Sequence, residues 1–291
     1  MADVSWSLPF FDPSPHLAVD RRYALIILNQ PFSFPLLRRL WNACSWRCCA
    51  DGGGNRLHDL LKDIQEGDGQ RDQRSLYRPN LIKGDLDSLR DDVREYYASH
   101  GVPVVHDPDQ YATDLMKCIR ALEEKDTAEG TQSDLILIGG LSGRLDQTVH
   151  TLSLLHKLRK GRMRIFAVTD DNLAWVLDEV RSITLALKPP FPASTSASMP
   201  NTHSTIPPSQ GTHHITVNHA VFGPTCGLLP VGVDSTVLTT TGLRWNLTDA
   251  ESSFGGLVST SNHLVPEQKT VTITTSKPIW WTMELRPEGL R

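Results

Sequence analysis

As far as Val168 the chain alternates short, unbroken apolar runs with stretches in which apolar residues recur every three or four positions. Tyr23–Leu28 (YALIIL) has no polar alternation and predicts a fully buried strand. In Pro35–Cys44, the positions of Leu36, Leu37, Leu40, Trp41 and Cys44 predict one face of a helix. Trp46–Ala50 predicts a second strand; Asp51-Gly-Gly-Gly follows it, then helical spacing at Leu57, Leu60, Leu61 and Ile64. Leu81–Lys83 and Val102–Val105 predict further strands, and Asp91-Asp92 between them are acids suited to the first turn of a helix. Asp114–Leu122 carries Leu115, Ile119 and Leu122 on one helical face. Leu135–Ile138 predicts a strand ending in Gly139-Gly140, and a helix is expected from Gln147 to Leu158 before a last strand at Arg164–Val168. Alternating elements with non-alternating strands predict a parallel sheet covered on both faces, an α/β domain over residues 1–172.

From Asn172 helical periodicity fades. Alternation takes over at Ile183–Leu187, His214–Val217, Ser235–Thr240, Gly256–Ser261 and Thr270–Thr275. Punctuated by Gly and Pro, that pattern predicts an antiparallel β-sandwich over residues 173–291. Lys188–Gly211 is rich in Pro, Ser and Thr, supplies nothing for a core, and reads as a disordered surface insertion. His213-His214 beside it read as strand-edge residues, and Trp280-Trp281 as core and surface aromatics.

With 291 residues and 39% hydrophobic content, two such domains can each bury a core. A net charge of −4 gives no electrostatic footprint for nucleic acid or an anionic membrane. The apolar runs are too short to span a bilayer, and MADVSWSLPF lacks a basic, then apolar, secretory pattern. A cytoplasmic protein is expected. Five cysteines without a second Cys/His cluster near Cys44, Cys48 and Cys49 suit reduced, buried thiols better than a metal site.

The candidate chemistry lies at strand ends. KGDLDSL (Lys83–Leu89) places Asp85 and Asp87 one residue apart. Two carboxylates about 5 Å apart at an effective dielectric near 20 repel by roughly 3 kcal/mol, so a compensating charge is expected. Asp51 follows one predicted strand, Gly139-Gly140 another, and Asp146 precedes the next helix. In an open parallel sheet these positions share the carboxyl-end rim, where ligands bind. Several carboxylates on one rim suit Mg²⁺, which takes oxygen ligands together with substrate phosphates. Gly52, Gly53 and Gly54 before a helix suit phosphate, as does the loop of Gly139, Gly140 and Gly143 with Arg144 as a phosphate grip. Neither GxxxxGK[ST] nor GxGxxG occurs. The combination points to phosphoryl-type transfer from a nucleotide with Mg²⁺.

CADGGGNRLHDLL (Cys49–Leu61), PNLIKGDLDSL (Pro79–Leu89), DQYATDLMKCI (Asp109–Ile119) and IGGLSGRLDQT (Ile138–Thr148) resemble eukaryotic thiamine pyrophosphokinases. GLRWNL (Gly242–Leu247) and FGGLVSTSN (Phe254–Asn262) are similar to the thiamine-binding half of that family. The resemblance implies a Mg²⁺-dependent homodimer that moves a pyrophosphoryl group from ATP to thiamine, with thiamine between subunits. It implies an acidic set of Asp51, Asp85, Asp87, Asp114 and Asp146, with Asp85, Asp87 and Asp114 as metal ligands and Asp114 or Asp87 as proton acceptor. Asn55 and Lys117 join the ATP-binding residues Asp51, Gly52, Gly53, Gly139, Gly140 and Arg144, while Gln110, Ser259 and Asn262 fall on the thiamine side. His263-Leu264-Val265 stand where some relatives carry an aromatic that stacks on thiamine, and Trp245 is a candidate for that role. The alternatives are a pyrophosphokinase or kinase for another small heterocyclic alcohol and a non-catalytic, thiamine- or nucleotide-binding regulatory protein.

Overall fold

The computed structural model describes residues 2–11, 21–64, 72–162, 164–178 and 210–290. The expected strand Ile183–Leu187 and residues 188–209 of the insertion lie outside the described residues. In chain order the strands and helices are β1 (Ala2–Trp6), β2 (Tyr23–Ile27), α1 (Phe34–Ala43), β3 (Trp46–Ala50), α2 (Gly53–Lys62), β4 (Leu81–Gly84), α3 (Asp91–Ser99), β5 (Val104–His106), α4 (Asp114–Glu129), β6 (Asp134–Ile138), α5 (Leu145–Leu158), β7 (Ile165–Val168), β8 (Asn172–Leu177), β9 (Gly211–Thr216), β10 (Phe222–Leu229), β11 (Ser235–Thr241), β12 (Ala250–Ser253), β13 (Ser259–His263), β14 (Thr270–Thr275) and β15 (Ile279–Leu285). None of the described helices is long and apolar enough to cross a membrane.

Two compact units share this chain, each drawn from discontinuous segments. One comprises the described residues of Leu8–Leu152, Arg164–Leu173 and Leu285–Arg291. Its strands run in the order β7-β6-β2-β3-β4-β5, every neighbouring pair parallel. All five residues of β2 are buried, as a central strand with both faces covered demands. Helix α1 starts where Ser33 caps the Leu36 amide and Pro35 needs no hydrogen bond, and it buries Leu36, Leu37, Leu40 and Trp41. Helix α4 runs seven residues past the expected Leu122, to the left-handed Gly130. Its last turns are polar on the surface, held by a Lys125–Glu129 ion pair at 2.8 Å, so apolar spacing could not mark them.

The other unit comprises the described residues of Met1–Ser7, Ser153–Met163 and Ala174–Glu284. It contains a five-stranded sheet, β1-β9-β14-β11-β12, and the neighbouring strands β13-β10-β15-β8. β14 pairs antiparallel with both β9 and β11, but β1 pairs with β9 in parallel, from Ala2 opposite Gly211 to Trp6 opposite Ile215. The wholly antiparallel expectation fails there because β1 arrives from a distant part of the chain and needs no hairpin. Flanked by β1 and β14, β9 is not an edge strand, and His213 is buried within it. Trp280 and Trp281 are both buried: the two faces of β15 are covered at that end, so neither ring reaches the surface. The expected strand Gly256–Ser261 forms later, at Ser259–His263.

His213 ties β1 to its neighbour. The Trp6 indole N–H donates to His213 Nδ1 at 3.0 Å, which leaves Nε2–H to donate to the Asp178 carbonyl at 2.9 Å. Burial pushes the imidazole down to about 4. An unfolded histidine protonates near 6.5, so between these values the unfolded state holds the extra proton. This contribution is complete above pH 6.5 and is lost as pH falls toward 4, by roughly 3 kcal/mol in all. Urea midpoints should therefore drop between pH 7 and pH 4.5 in the native chain, and drop less in a His213→Gln variant. Equal slopes would remove His213 from the balance.

Candidate active site

The carboxyl ends of β3, β4 and β5 meet the N-termini of α2 and α4 at one rim. Asp51, directly after β3, takes a left-handed φ of 44°. Its two carboxylate oxygens accept the backbone amides of Ser88 (3.2 Å) and Leu89 (3.1 Å). Asp51 therefore fixes the far side of the loop that carries Asp85 and Asp87. Gly52 precedes α2 and Gly53 opens it; a Cβ on Gly53 would lie 2.3 Å from the Ile27 carbonyl oxygen. Only glycine lets this helix begin against the backbone of β2. Gly84 serves similarly at the end of β4, where a Cβ would sit 2.7 Å from Asp51 Cβ and 3.0 Å from Asp114 Oδ1.

Asp51, Asp85 and Asp87 each present one carboxylate oxygen, and these atoms lie within 4.8 Å of one another. The Asp87 amide donates to Asp85 Oδ1 at 3.2 Å, and the Ser88 hydroxyl donates to Asp87 Oδ1 at 2.9 Å. Leu86 between the two aspartates has a φ of 61°, a conformation rare for leucine. Burial raises the Asp51 carboxyl, as does the Asp114 charge, against the lowering effect of the Gly52 and Ser88 amides. Asp114 lies beside this group. Its Oδ1 accepts the Asp85 amide at 3.0 Å and the Lys117 ammonium at 3.1 Å. Lys117 Nζ also stands 4.0 Å from Asp85 Oδ2, and its side chain is only 1% exposed. Three hard oxygen donors drawn together around a part-exposed space fit a divalent cation.

Other expected residues are placed differently. Asn55 spans the loop from the helix side, its Nδ2 donating to the Ser88 carbonyl at 2.7 Å and its Oδ1 accepting the Arg90 amide at 3.1 Å. Arg90 in turn grips both oxygens of Asp59, at 2.6 and 2.7 Å. Gly139 and Gly140 have φ of 82° and 92° directly after β6. Arg144 and Asp146 hold each other, at 3.1 and 2.5 Å, both largely exposed. The Arg144 guanidinium keeps the Asp146 carboxyl below the usual carboxylate range, and Asp146 is not among the clustered oxygens. Gln110 lies exposed in the loop after β5, its amide donating to the Pro108 carbonyl at 3.5 Å.

Two rim residues escaped the sequence reading. Lys83 Nζ lies 3.3 Å from Asp107 Oδ2, and Asp107 Oδ1 accepts the Asp109 amide at 3.2 Å. Burial raises the Asp107 carboxyl, but the Asp109 amide and the Lys83 ammonium outweigh it and hold it below its ordinary value. Asp107 follows β5 as Asp51 follows β3, so the strand-end rule would have found it.

In the other unit, Asn262 of β13 is buried, with Nδ2 donating to the Trp245 carbonyl at 2.7 Å. Its Oδ1 accepts the amides of Trp245 (3.2 Å) and His263 (2.8 Å). Asn262 thus presents Trp245 through its backbone. Trp245 is 52% exposed, with the Arg244 guanidinium 4.9 Å over its ring and the His263 ring 5.2 Å away. Ser259 opens the same strand.

Two family models match: "Thiamin pyrophosphokinase, catalytic domain" over residues 37–167, and "Thiamin pyrophosphokinase, vitamin B1 binding domain" over residues 212–280. Thiamine pyrophosphokinase 3 of Oryza sativa subsp. japonica is 37% identical, covering 97% of each chain. Thiamine pyrophosphokinase 1 of Arabidopsis thaliana is 35% identical over 98% of this chain and 94% of its own. Among solved structures, yeast thiamin pyrophosphokinase superposes with a TM-score of 0.74 at 24% identity, covering 99% of this chain and 92% of that one. At that identity the likeness concerns the fold.

Replacing Asp51 with Asn leaves one oxygen for two amides and sets an amide nitrogen against the other. The unsatisfied donor should cost about 1–3 kcal/mol. Hydrogen exchange at Ser88 and Leu89 should accelerate in Asp51→Asn while β2 and β6 stay protected. Unchanged exchange at those two amides would mean the loop is held by other contacts.

Proposed function

We propose, for a chain that belongs to the thiamine pyrophosphokinase family, transfer of the terminal pyrophosphoryl group of ATP to the hydroxyl of thiamine, giving thiamine diphosphate and AMP. The observation that carries this reading is the convergence of Asp51, Asp85 and Asp87 within 4.8 Å at the carboxyl-end rim of a parallel sheet. Such a group suits a polyphosphate substrate that arrives with its own cation.

Asp85 and Asp87, with Asp51 behind them and Asp114 alongside, would hold that cation, which we take to be Mg²⁺. When bound it would neutralise charge on the phosphates. The chain's own residues do the rest. Gly52 and Gly53 bring the N-terminus of α2 to the rim, where backbone N–H groups and the helix dipole favour phosphate. Gly139 and Gly140 open a second phosphate-facing loop after β6. Arg144 is exposed and paired to Asp146, so a phosphate oxygen can replace that carboxylate at the guanidinium. The thiamine hydroxyl oxygen attacks the β-phosphorus, the bond from that phosphorus to the α-phosphate oxygen breaks, and AMP departs. Asp87 or Asp114 takes the hydroxyl proton; Asp87 Oδ1 accepts the Ser88 hydroxyl, and Asp114 Oδ1 accepts the Asp85 amide and the Lys117 ammonium. Holding the two substrates in line contributes more than basicity in such transfers.

The thiamine side of the proposal comprises Gln110, Ser259, Asn262 and Trp245. Trp245 offers an exposed aromatic face, and Asn262 fixes the backbone that presents it. The reading includes a homodimer with thiamine held between subunits.

Purified protein given ATP, Mg²⁺ and thiamine should form AMP and thiamine diphosphate in equal amounts, and chelation of the metal should stop it. ADP as the nucleotide product would overturn pyrophosphoryl transfer, and thiamine binding without turnover would favour a binding protein. Asp87→Asn should lower turnover about a hundredfold with the circular dichroism spectrum unchanged. Near-native turnover would take Asp87 out of the chemistry.

A further inference from the structure

Lys117 stands where a cation is poorly suited. It lies one turn into α4, near the helix end that favours negative charge, and its side chain is 1% exposed. A buried ammonium is strongly unfavourable unless paired. Its partners are Asp114 Oδ1 at 3.1 Å and Asp85 Oδ2 at 4.0 Å, and the same Asp114 oxygen accepts the Asp85 amide at 3.0 Å. One ammonium therefore ties the start of α4 to the end of β4. Turned inward in this way, it offers almost no surface to an incoming phosphate.

We propose that Lys117 is a positioning residue for the transfer, the internal counter-ion of the acidic group and not a ligand of ATP. It fixes Asp85 and Asp114 relative to each other. It also offsets one of their negative charges, so that the group binds a free divalent cation weakly and the cation with polyphosphate well. This rests on the cation-dependent transfer proposed above and adds a role for one residue within it. A lysine on the phosphates would be exposed, and its loss would act on nucleotide affinity. A lysine on the carboxylates acts on the ion and on turnover.

The test is Lys117→Met, a neutral side chain of similar length, with Mn²⁺ as the probe. Without nucleotide, electron paramagnetic resonance titration should show Mn²⁺ bound about tenfold more tightly than by the native protein, since a positive charge has left the group. Turnover should fall about a hundredfold while KM for ATP moves by less than about threefold. Lys117→Arg, which keeps the charge, should return Mn²⁺ affinity to the native value and recover part of kcat. Unchanged Mn²⁺ affinity in Lys117→Met, or a KM for ATP raised about tenfold with kcat kept, overturns the proposal. Should Lys117→Met not fold, a crystal structure of the native protein with Mn²⁺ and a non-hydrolysable ATP analogue decides. Nζ at hydrogen-bond distance from Asp114 supports the proposal, and Nζ on a phosphate oxygen ends it. If the native protein makes no thiamine diphosphate, the transfer reading fails by itself, and the Mn²⁺ comparison still decides the role of Lys117.

Discussion

Three carboxylate oxygens within 4.8 Å repel one another, and the architecture of the first unit is arranged around that repulsion. Backbone amides answer part of it: Ser88 and Leu89 donate to Asp51, Asp85 donates to Asp114, and Asp87 donates to Asp85. Each is a hydrogen bond to a charged acceptor, the stronger kind. Lys117 answers another part, 4.0 Å from Asp85 Oδ2 and 3.1 Å from Asp114 Oδ1, while Lys83 pairs with Asp107. What is left is an oxygen-rich space suited to one further cation. Charge is thus distributed over backbone, side chain and ligand, and no single partner carries it.

That distribution depends on backbones coming closer than side chains ordinarily permit. Gly53 lets α2 start against the Ile27 carbonyl, and Gly84 lets Asp51 and Asp114 share the end of β4. Asn55 and the Asp59–Arg90 pair then hold the loop from the outside, so the aspartates stand on a support built from α2 and the segment before α3. The second unit repeats the device with different chemistry: the Asn262 side chain spends its hydrogen bonds on the backbone around Trp245 and His263, and an aromatic ring is presented to solvent. In both units a residue that resembles a ligand in sequence acts first on the backbone that carries another.

Sequence legibility followed the physical signal. Trp46–Ala50 and Thr270–Thr275 formed at their expected bounds because a short, mostly apolar run closed by Asp-Gly-Gly-Gly and an alternating segment are each specific. Strand β10 did not announce itself, because Pro224 and two glycines interrupt FGPTCGLL, and β15 hid behind adjacent tryptophans that are both buried. The clustering of Asp51, Asp85 and Asp87 was legible from their common strand-end address. Asp107 had the same address but was passed over; β5 ends at His106, one residue beyond the expected Val105, which sets Asp107 directly after it. The partners of Asn55, Lys117 and Asn262 were not legible, since spacing tells which residues approach a rim but not which atoms they satisfy there. The pairing of Arg144 with Asp146 belongs to the same class: two neighbours in sequence, both exposed, taken up with each other.

The Trp6–His213 hydrogen bond joins residues 207 positions apart, and β1 lies beside β9 along its whole length. The other unit is closed from the opposite direction, where the Arg39 guanidinium reaches the carbonyls of Phe11 and Gly289. On a translating ribosome, therefore, β1 waits for β9, more than 200 residues later, and helix α1 waits for Gly289. Neither unit is a beads-on-a-string module able to finish while the rest is still being synthesised. The nascent chain must hold a largely formed parallel sheet, lacking its last contacts, until residues 285–290 have emerged, and cutting it between the two matched regions would separate each half from a piece of its own core.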